Sequence, residues 1–181
     1  MKYNRRIFLY PWQPIYVSYM AIQQAFFFRH TMRPTFMFHN NPVRAAGVLV
    51  QTVVDGRRLR LFRYVNGRAE DIGGKTDIVD ENEVDTAVRE CVEETGGKLF
   101  HDKHTRDECA AVLRDLLVNC PAEYNKRSKY LLFKLNVDPD ILNQPMKRFG
   151  LHEQTEWGVL DHYYKWVKRP RHVHPRLFGM L

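Results

Sequence analysis

Arg89, Glu90, Glu93 and Glu94 put three carboxylates and one guanidinium within six consecutive residues. On a helix, at about 100° per residue, Glu90 and Glu94 share a flank with Glu83, and Glu93 lies next to them. Like charges four residues apart repel by a few tenths of a kcal/mol even in water, and by more beside a buried face. A cation placed among them removes that penalty. Clustered carboxylate oxygens are the donors that a hard ion such as Mg²⁺ takes, together with phosphate oxygens and water. Arg89 can pair with one carboxylate and fix its direction without competing for the ion. The plainer alternative is a solvated acidic face on an ordinary amphipathic helix.

The residues around this group say how it would be held. Val84, Ala87, Val88 and Cys91 recur at i, i+3, i+4 and i+7, which predicts a helix with one buried stripe. Gly96-Gly97 is its stop signal. Upstream, Val43–Val54 reads as a strand, Asp55-Gly56 as a hairpin turn and Arg57–Tyr64 as the returning strand, with Leu59, Leu61 and either Phe62 or Tyr64 marking its faces. Asn66-Gly67 is a second turn, and Ala69–Ile72 is a short strand that delivers Gly73-Gly74 to an acidic loop. Downstream, Thr105–Cys120 reads as a second helix opened by the capping pair Thr105 and Glu108, with Ala111, Leu113, Leu116 and Leu117 as its apolar side, and Pro121 ends it. Ser128–Val137 is rich in strand formers, and Asp138-Pro139-Asp140 starts a short turn or helix.

The stretch Gly73–Gly97 resembles the box of the Nudix family, G-x5-E-x7-R-E-U-x-E-E-x-G-U, with U aliphatic. Arg89, Glu90, Glu93, Glu94 and Gly96 match its second half position by position. Seven residues separate Glu81 from Arg89, as they should for the earlier acid, but the residue that follows the five after Gly74 is Asp80. The loop is one residue longer than the pattern, so either acid can be its counterpart. Cys91 and Gly97 stand where aliphatic residues are usual. The resemblance implies an α/β fold, an α/β/α sandwich around a mixed β-sheet, with the box as loop, helix and loop. It implies hydrolysis of a nucleoside diphosphate linked to a group X, with Mg²⁺ or Mn²⁺. Carried over, Glu90, Glu93 and Glu94, with Gly74 beside them, would form the metal site, Arg89 would orient Glu90, and Glu90, Glu94 or an acid outside the box would take the proton from water. Glu153 and Glu156, which follow the long core strand and precede Trp157, are the candidates for that outside acid, Glu153 first. Arg63, Lys75 and Glu156 are candidates for contacts to substrate.

The chain has 181 residues, enough for one domain with a full core. A hydrophobic content of 44% with 27% charged residues excludes a disordered chain. Three cysteines without metal spacing point to a reducing, cytoplasmic setting. The net charge of +7 is uneven: residues 1–54 and 165–181 contain no acid. Residues 1–42 read as a basic, aromatic extension that packs on the domain or on a partner, and residues 43–181 as the catalytic domain. The run Ile15–Arg29 is too short and too interrupted to span a membrane, and an organellar transit peptide is less favoured. The basic ends could draw in a polyanion such as RNA, or merely keep the surface soluble. Tyr163, Tyr164 and Trp166 could stack a base, although an amphipathic C-terminal helix packed on the sheet accounts for them more simply. Two functions follow: a hydrolase acting on a nucleotide, a dinucleotide or a capped RNA 5′ end, and a Nudix-fold module for RNA binding or complex assembly with little or no catalysis. Neither the identity of X nor the oligomeric state is written in the sequence.

Overall fold

A run of ten residues, Ala45–Val54, forms the central strand β3. It is buried along most of its length, so it is apolar on both faces and does not alternate. The computed structural model describes residues 33–100, 105–143, 153–155, 158–160 and 163–181, with the backbone path alone for 142–143, 153–155, 158–160 and 163. Pro34–Leu181 make one compact unit.

Before β3 comes a small hairpin, β1 (Phe36–Phe38) and β2 (Asn41–Val43). Its Phe36 and Phe38 pack on the main core, so the domain starts ahead of Val43. Asp55 and Gly56 both take positive φ, 48° and 70°, in the tight turn expected of an Asp-Gly pair. The chain then returns as β4 (Arg57–Val65). Asn66-Gly67 turns it again into β5 (Arg68–Glu70), and Asp71 separates this from β6 (Ile72–Lys75). Two helices follow, α1 (Glu83–Thr95) and α2 (Arg106–Val118). Then come β7 (Ala122–Asn125), β8 (Tyr130–Asn136), a 3-10 turn at Pro139–Asn143, the hairpin β9 (Glu153–Thr155) and β10 (Gly158–Leu160), and β11 (Tyr163–Val167). A last 3-10 turn covers Pro175–Leu177.

The main sheet runs β11-β4-β3-β8-β7. β3 pairs with β8 in parallel and with β4 and β6 antiparallel. The sheet is mixed and the fold is α/β. One edge of β3 is shared: residues 51–54 pair with β4, and 45–48 pair with β6. That sharing lets β6 leave β3 with Gly73 and Gly74 close against the sheet and aimed at α1.

Both helices lie on one face. Their Ala87, Val88, Cys91, Cys109, Leu113 and Leu117 join Val48, Val50, Leu61, Ile72 and Leu131 in the larger core. The other face buries Leu49, Phe62, Ala69, Tyr130 and Leu132 under Leu177 and Met180. Among the described residues the second outer layer of the sandwich is therefore the C-terminal segment and not a helix. Leu61 and Phe62 are both fully buried, one on each face, which is why β4 shows imperfect alternation.

Three local expectations change. In α2 the buried face is Cys109, Leu113 and Leu117, whereas Ala111 and Leu116 are exposed. The helix touches the core along a narrow stripe only. Residues 163–167 are a strand against β4 and not an amphipathic helix. Tyr164 is buried there and its hydroxyl donates to the Glu94 carbonyl at 3.0 Å, so it is not a free stacking surface. The run Ile15–Arg29, Glu156 and Trp157 lie outside the described residues, as do residues 1–32 of the extension. No helix among the described residues is long and apolar enough to cross a membrane.

Candidate active site

The acidic group is built on α1, and both ends of that helix are fixed. Asn82 caps its start by accepting from the Asp85 N–H at 2.9 Å. At its end Gly96, at φ 65°, donates to Glu93 and Gly97 donates to Val92. This paired closure requires the left-handed backbone that glycine adopts without steric cost. With Ala87, Val88 and Cys91 turned into the core, the remaining faces carry the acids.

Arg89 is the hub. Its Nε and Nη2 donate to the two oxygens of Asp80 at 2.8 and 3.1 Å. Its Nη1 donates to Glu90 at 2.9 Å and to Glu93 at 3.2 Å, and Nη2 also reaches the Lys75 carbonyl at 2.8 Å. Asp80 is buried and further accepts from the Asp77 N–H at 2.7 Å and the Thr86 hydroxyl at 2.8 Å. Burial pushes the Asp80 carboxyl up, but the hydrogen bonds from Arg89, Asp77 and Thr86 together outweigh it and hold it below the usual carboxylate range. Glu81 is exposed. Asp80, not Glu81, is therefore the loop acid that meets the arginine: the extra loop residue moved the partner one position back.

Glu90 is directed by Arg89 and crowded from the other side by β6. A Cβ added at Gly74 would stand 2.5–2.6 Å from the Glu90 carboxylate. Only glycine leaves that carboxylate where it is. Burial raises the Glu90 pKa against the opposing pull of Arg89, and Glu93 and Asp80 add to the rise. Glu94 is oriented differently. Its Oε1 meets Arg63 of β4 at 2.5 Å. Its Oε2 is buried and has no hydrogen-bond partner among the described residues. Burial, opposed by Arg63 and reinforced by Glu90, pushes its pKa up to about 8. Glu93 is the open one, its side chain 55% exposed.

Arg63 also lies 3.6 Å from Glu70. Glu70 in turn lies 3.6 Å from Arg176, which donates to Asp71 through Nε at 2.8 Å and to the Asp71 carbonyl at 3.1 Å. Tyr130 donates its hydroxyl to the fully buried Asp71 and lies under the Arg176 guanidinium. This chain of charges runs from the C-terminal segment to Glu94, and sequence reasoning missed it. Asp71 and Arg176 are 105 residues apart, and nothing in their local spacing pairs them. The one available signal was the acidic pair Glu70-Asp71 directly ahead of the apolar Ile72.

Of the expected site residues, Arg89, Glu90 and Gly74 come together with Asp80, and Glu93 stands at their rim. Glu94 is on the same helix with Arg63. Lys75 is exposed beside Gly74 and contributes its carbonyl to Arg89. Glu153 starts β9; its backbone alone is described, and Glu156 is outside the described residues. A cavity of about 650 Å³ borders the group along the row Asp85, Arg89 and Glu93, with Asp80 and Glu81 on one wall and Arg106 and Arg114 of α2 on the other. Glu90 and Glu94 do not line it.

The donor set suits a hard cation: oxygens only, with an unpartnered buried Oε2 on Glu94. Among the described residues, however, no three His, Cys, Asp or Glu side chains converge on one point, because Glu90 and Glu93 turn to Arg89 and Glu94 to Arg63.

No family model matches the chain, and no curated protein matches it. Among solved structures it is similar to the C. elegans Ap4A hydrolase, with 20% identity to one structure and 18% to a binary complex. Each match covers 70% of this chain and 80% of that one, at a TM-score of 0.35. The superposition is too loose to transfer a residue role or an activity.

Proposed function

We propose that this chain is a divalent-metal-dependent hydrolase of the Nudix type that cleaves a pyrophosphate linkage in a nucleoside diphosphate joined to a group X. The observation that carries the reading is the Arg89 hub. One guanidinium holds the loop acid Asp80, Glu90 and Glu93 at 2.8–3.2 Å, while Gly74 leaves the Glu90 carboxylate its space. A solvated acidic face has no need of a buried Asp80, or of a glycine against Glu90.

In a pyrophosphate the obstacles are repulsion of the nucleophile by anionic oxygens and charge on the leaving phosphate. Mg²⁺ or Mn²⁺, when bound, supplies positive charge at those oxygens and makes water a better nucleophile. Glu90, Glu93 and Glu94 are the residues to hold it. Arg89 keeps Glu90 in one direction, so its position is set before substrate arrives. Water attacks phosphorus, the phosphorus–oxygen bond to the leaving phosphate breaks, and the proton of the water passes to a carboxylate, either Glu90, Glu94 or Glu153. Arg63 of β4, beside Glu94, and Lys75, exposed beside Gly74, are the cations proposed to meet phosphate oxygens. The acid-free ends favour a nucleic acid 5′ end, such as capped RNA, among the values of X, beside nucleotides and dinucleotides. Residues 1–42 are the part suited to attachment.

The test is a panel of capped RNA, free cap dinucleotide, diadenosine polyphosphates, ADP-ribose, NADH and nucleoside triphosphates, each with Mg²⁺ and with Mn²⁺, for wild type beside Glu94→Gln. The expected result is metal-dependent release of phosphate products from one class, reduced at least about a hundredfold in the variant. No turnover of any member by a folded wild-type protein sinks the hydrolase.

A further inference from the structure

The C-terminal segment builds a second concavity, lined by none of the box acids. Its backbone is tied to β5 by a parallel bridge between Ala69 and Val173. The Ala69 N–H donates to the His172 carbonyl at 2.8 Å, and the His174 N–H to the Ala69 carbonyl at 2.9 Å. Just beyond, Arg176 is locked onto Asp71, and Leu177 and Met180 are buried. The path from 172 to 180 is thus anchored at both ends. On its outer side is a hollow of about 270 Å³, lined by Arg68, Arg171, His172, Val173, Pro175 and Phe178.

The charged groups of that lining are all of one sign. Arg68 and Arg171 are exposed, and among the described residues neither has an ion-pair partner. No carboxylate lines the hollow. Phe178 is 60% exposed although Leu177 and Met180 on either side of it turn inward. A tied-down turn that presents an exposed ring in the same hollow as two guanidinium groups offers what a nucleotide needs: cations for its phosphate and a flat apolar face for its base. An acidic peptide would use the arginines and leave the ring without a partner.

We infer that the hollow between Arg68, Arg171 and Phe178 binds a nucleotide of a single-stranded nucleic acid, its phosphate on the two arginines and its base on the Phe178 ring. Arg68 and Glu70 lie on one face of β5, about 7 Å apart. Glu70 is next to Arg63, and Arg63 contacts Glu94. One strand face therefore joins the hollow to the acidic helix, and a strand gripped in the hollow can present its end to the carboxylates. That last step rests on the hydrolase reading; binding in the hollow does not.

The test is a fluorescence-anisotropy titration of the full chain with a labelled short single-stranded RNA, and with DNA of the same sequence, over a range of salt and without divalent metal. Phe178→Ala is expected to weaken binding roughly tenfold. Arg68→Glu with Arg171→Glu is expected to weaken it further and to make the log affinity–log salt slope shallower by about 0.7, one phosphate contact on a single strand. Arg57→Glu with Arg58→Glu, exposed arginines at the β3–β4 turn, is the control for general charge and should weaken binding less. Arg68→Gln with Arg171→Gln replaces the charge-reversed pair if circular dichroism shows that pair misfolded. Wild type that does not bind, a Phe178→Ala protein that binds as wild type, or a control pair that loses as much as the site pair each overturns the site. So does competition by polyglutamate that is indifferent to Phe178. Binding that behaves as expected in a protein without turnover leaves the site standing and removes only the hydrolase.

Discussion

At the scale of single residues, the division of labour among the acids follows from their partners. Asp80 is held as a charge by Arg89, Thr86 and the Asp77 N–H. Its folded pKa lies below its unfolded value of about 3.9, so its contribution to stability is present above that value and is lost as pH falls through the depressed folded one. Asp80→Asn is therefore expected to cost about 2 kcal/mol at pH 7, and the gap from wild type should close below about pH 4. Urea denaturation at pH 7 and pH 3 checks this. A gap that does not narrow between pH 7 and pH 3 would mean that Asp80 acts by shape and not by charge. Glu90 and Glu94 differ from Asp80 in that burial wins for both.

At the scale of elements, the site depends on how closely β6 approaches α1. The close fit of Gly74 to the Glu90 carboxylate is a strand-to-helix spacing written as a missing side chain. Because a Cβ there meets the far end of a flexible side chain, the fold can absorb the change while the carboxylate cannot keep its place. Gly74→Ala should leave the melting temperature within a few degrees of wild type and lower kcat about a hundredfold, the scale of loss for an ångström of misplacement. Turnover and thermal melts of the same preparation separate the two effects. The helices were legible because their signals are local. The stripe Val84, Ala87, Val88 and Cys91, the glycine stop and the Thr105–Glu108 capping box each lie within a few residues of chain, and each forms. What misled was also local: Ala111 and Leu116 fit a helical stripe but face solvent, because the width of the contact with α2 is set by the sheet beneath it.

At the scale of the whole molecule, the C-terminal segment closes the second face of the sheet and ends in the buried pair Arg176–Asp71. Removing the guanidinium leaves a fully buried aspartate whose remaining side-chain partner among the described residues is Tyr130. Arg176→Ala is expected to cost about 3–5 kcal/mol, and Asp71→Asn in the same chain should recover part of that loss. A double-mutant cycle by chemical denaturation measures the coupling. Additive effects would mean that the two residues stabilise the fold separately. The same segment supplies the rim of the basic hollow, so the tail links packing to recognition.

The sequence by itself determined the acidic helix, its glycine stop and the two glycine-bearing hairpin turns, because periodicity and turn chemistry act over a few residues; the single strand expected over Ala69–Ile72 is instead two, broken at Asp71, with Gly73 and Gly74 inside the second. It also singled out Arg89, Glu90, Glu93 and Glu94. It left open which loop acid meets Arg89, since Asp80 and Glu81 differ by one position and counting cannot say which one the loop turns inward. The tertiary structure alone decided for Asp80, made Tyr164 a core residue in a strand, and joined Glu94 to Arg63, Glu70, Asp71 and Arg176. Those are contacts between strands and tail far apart in the chain, and they are fixed by which edges of β3 and β4 the later segments come to occupy. No local rule carries that information.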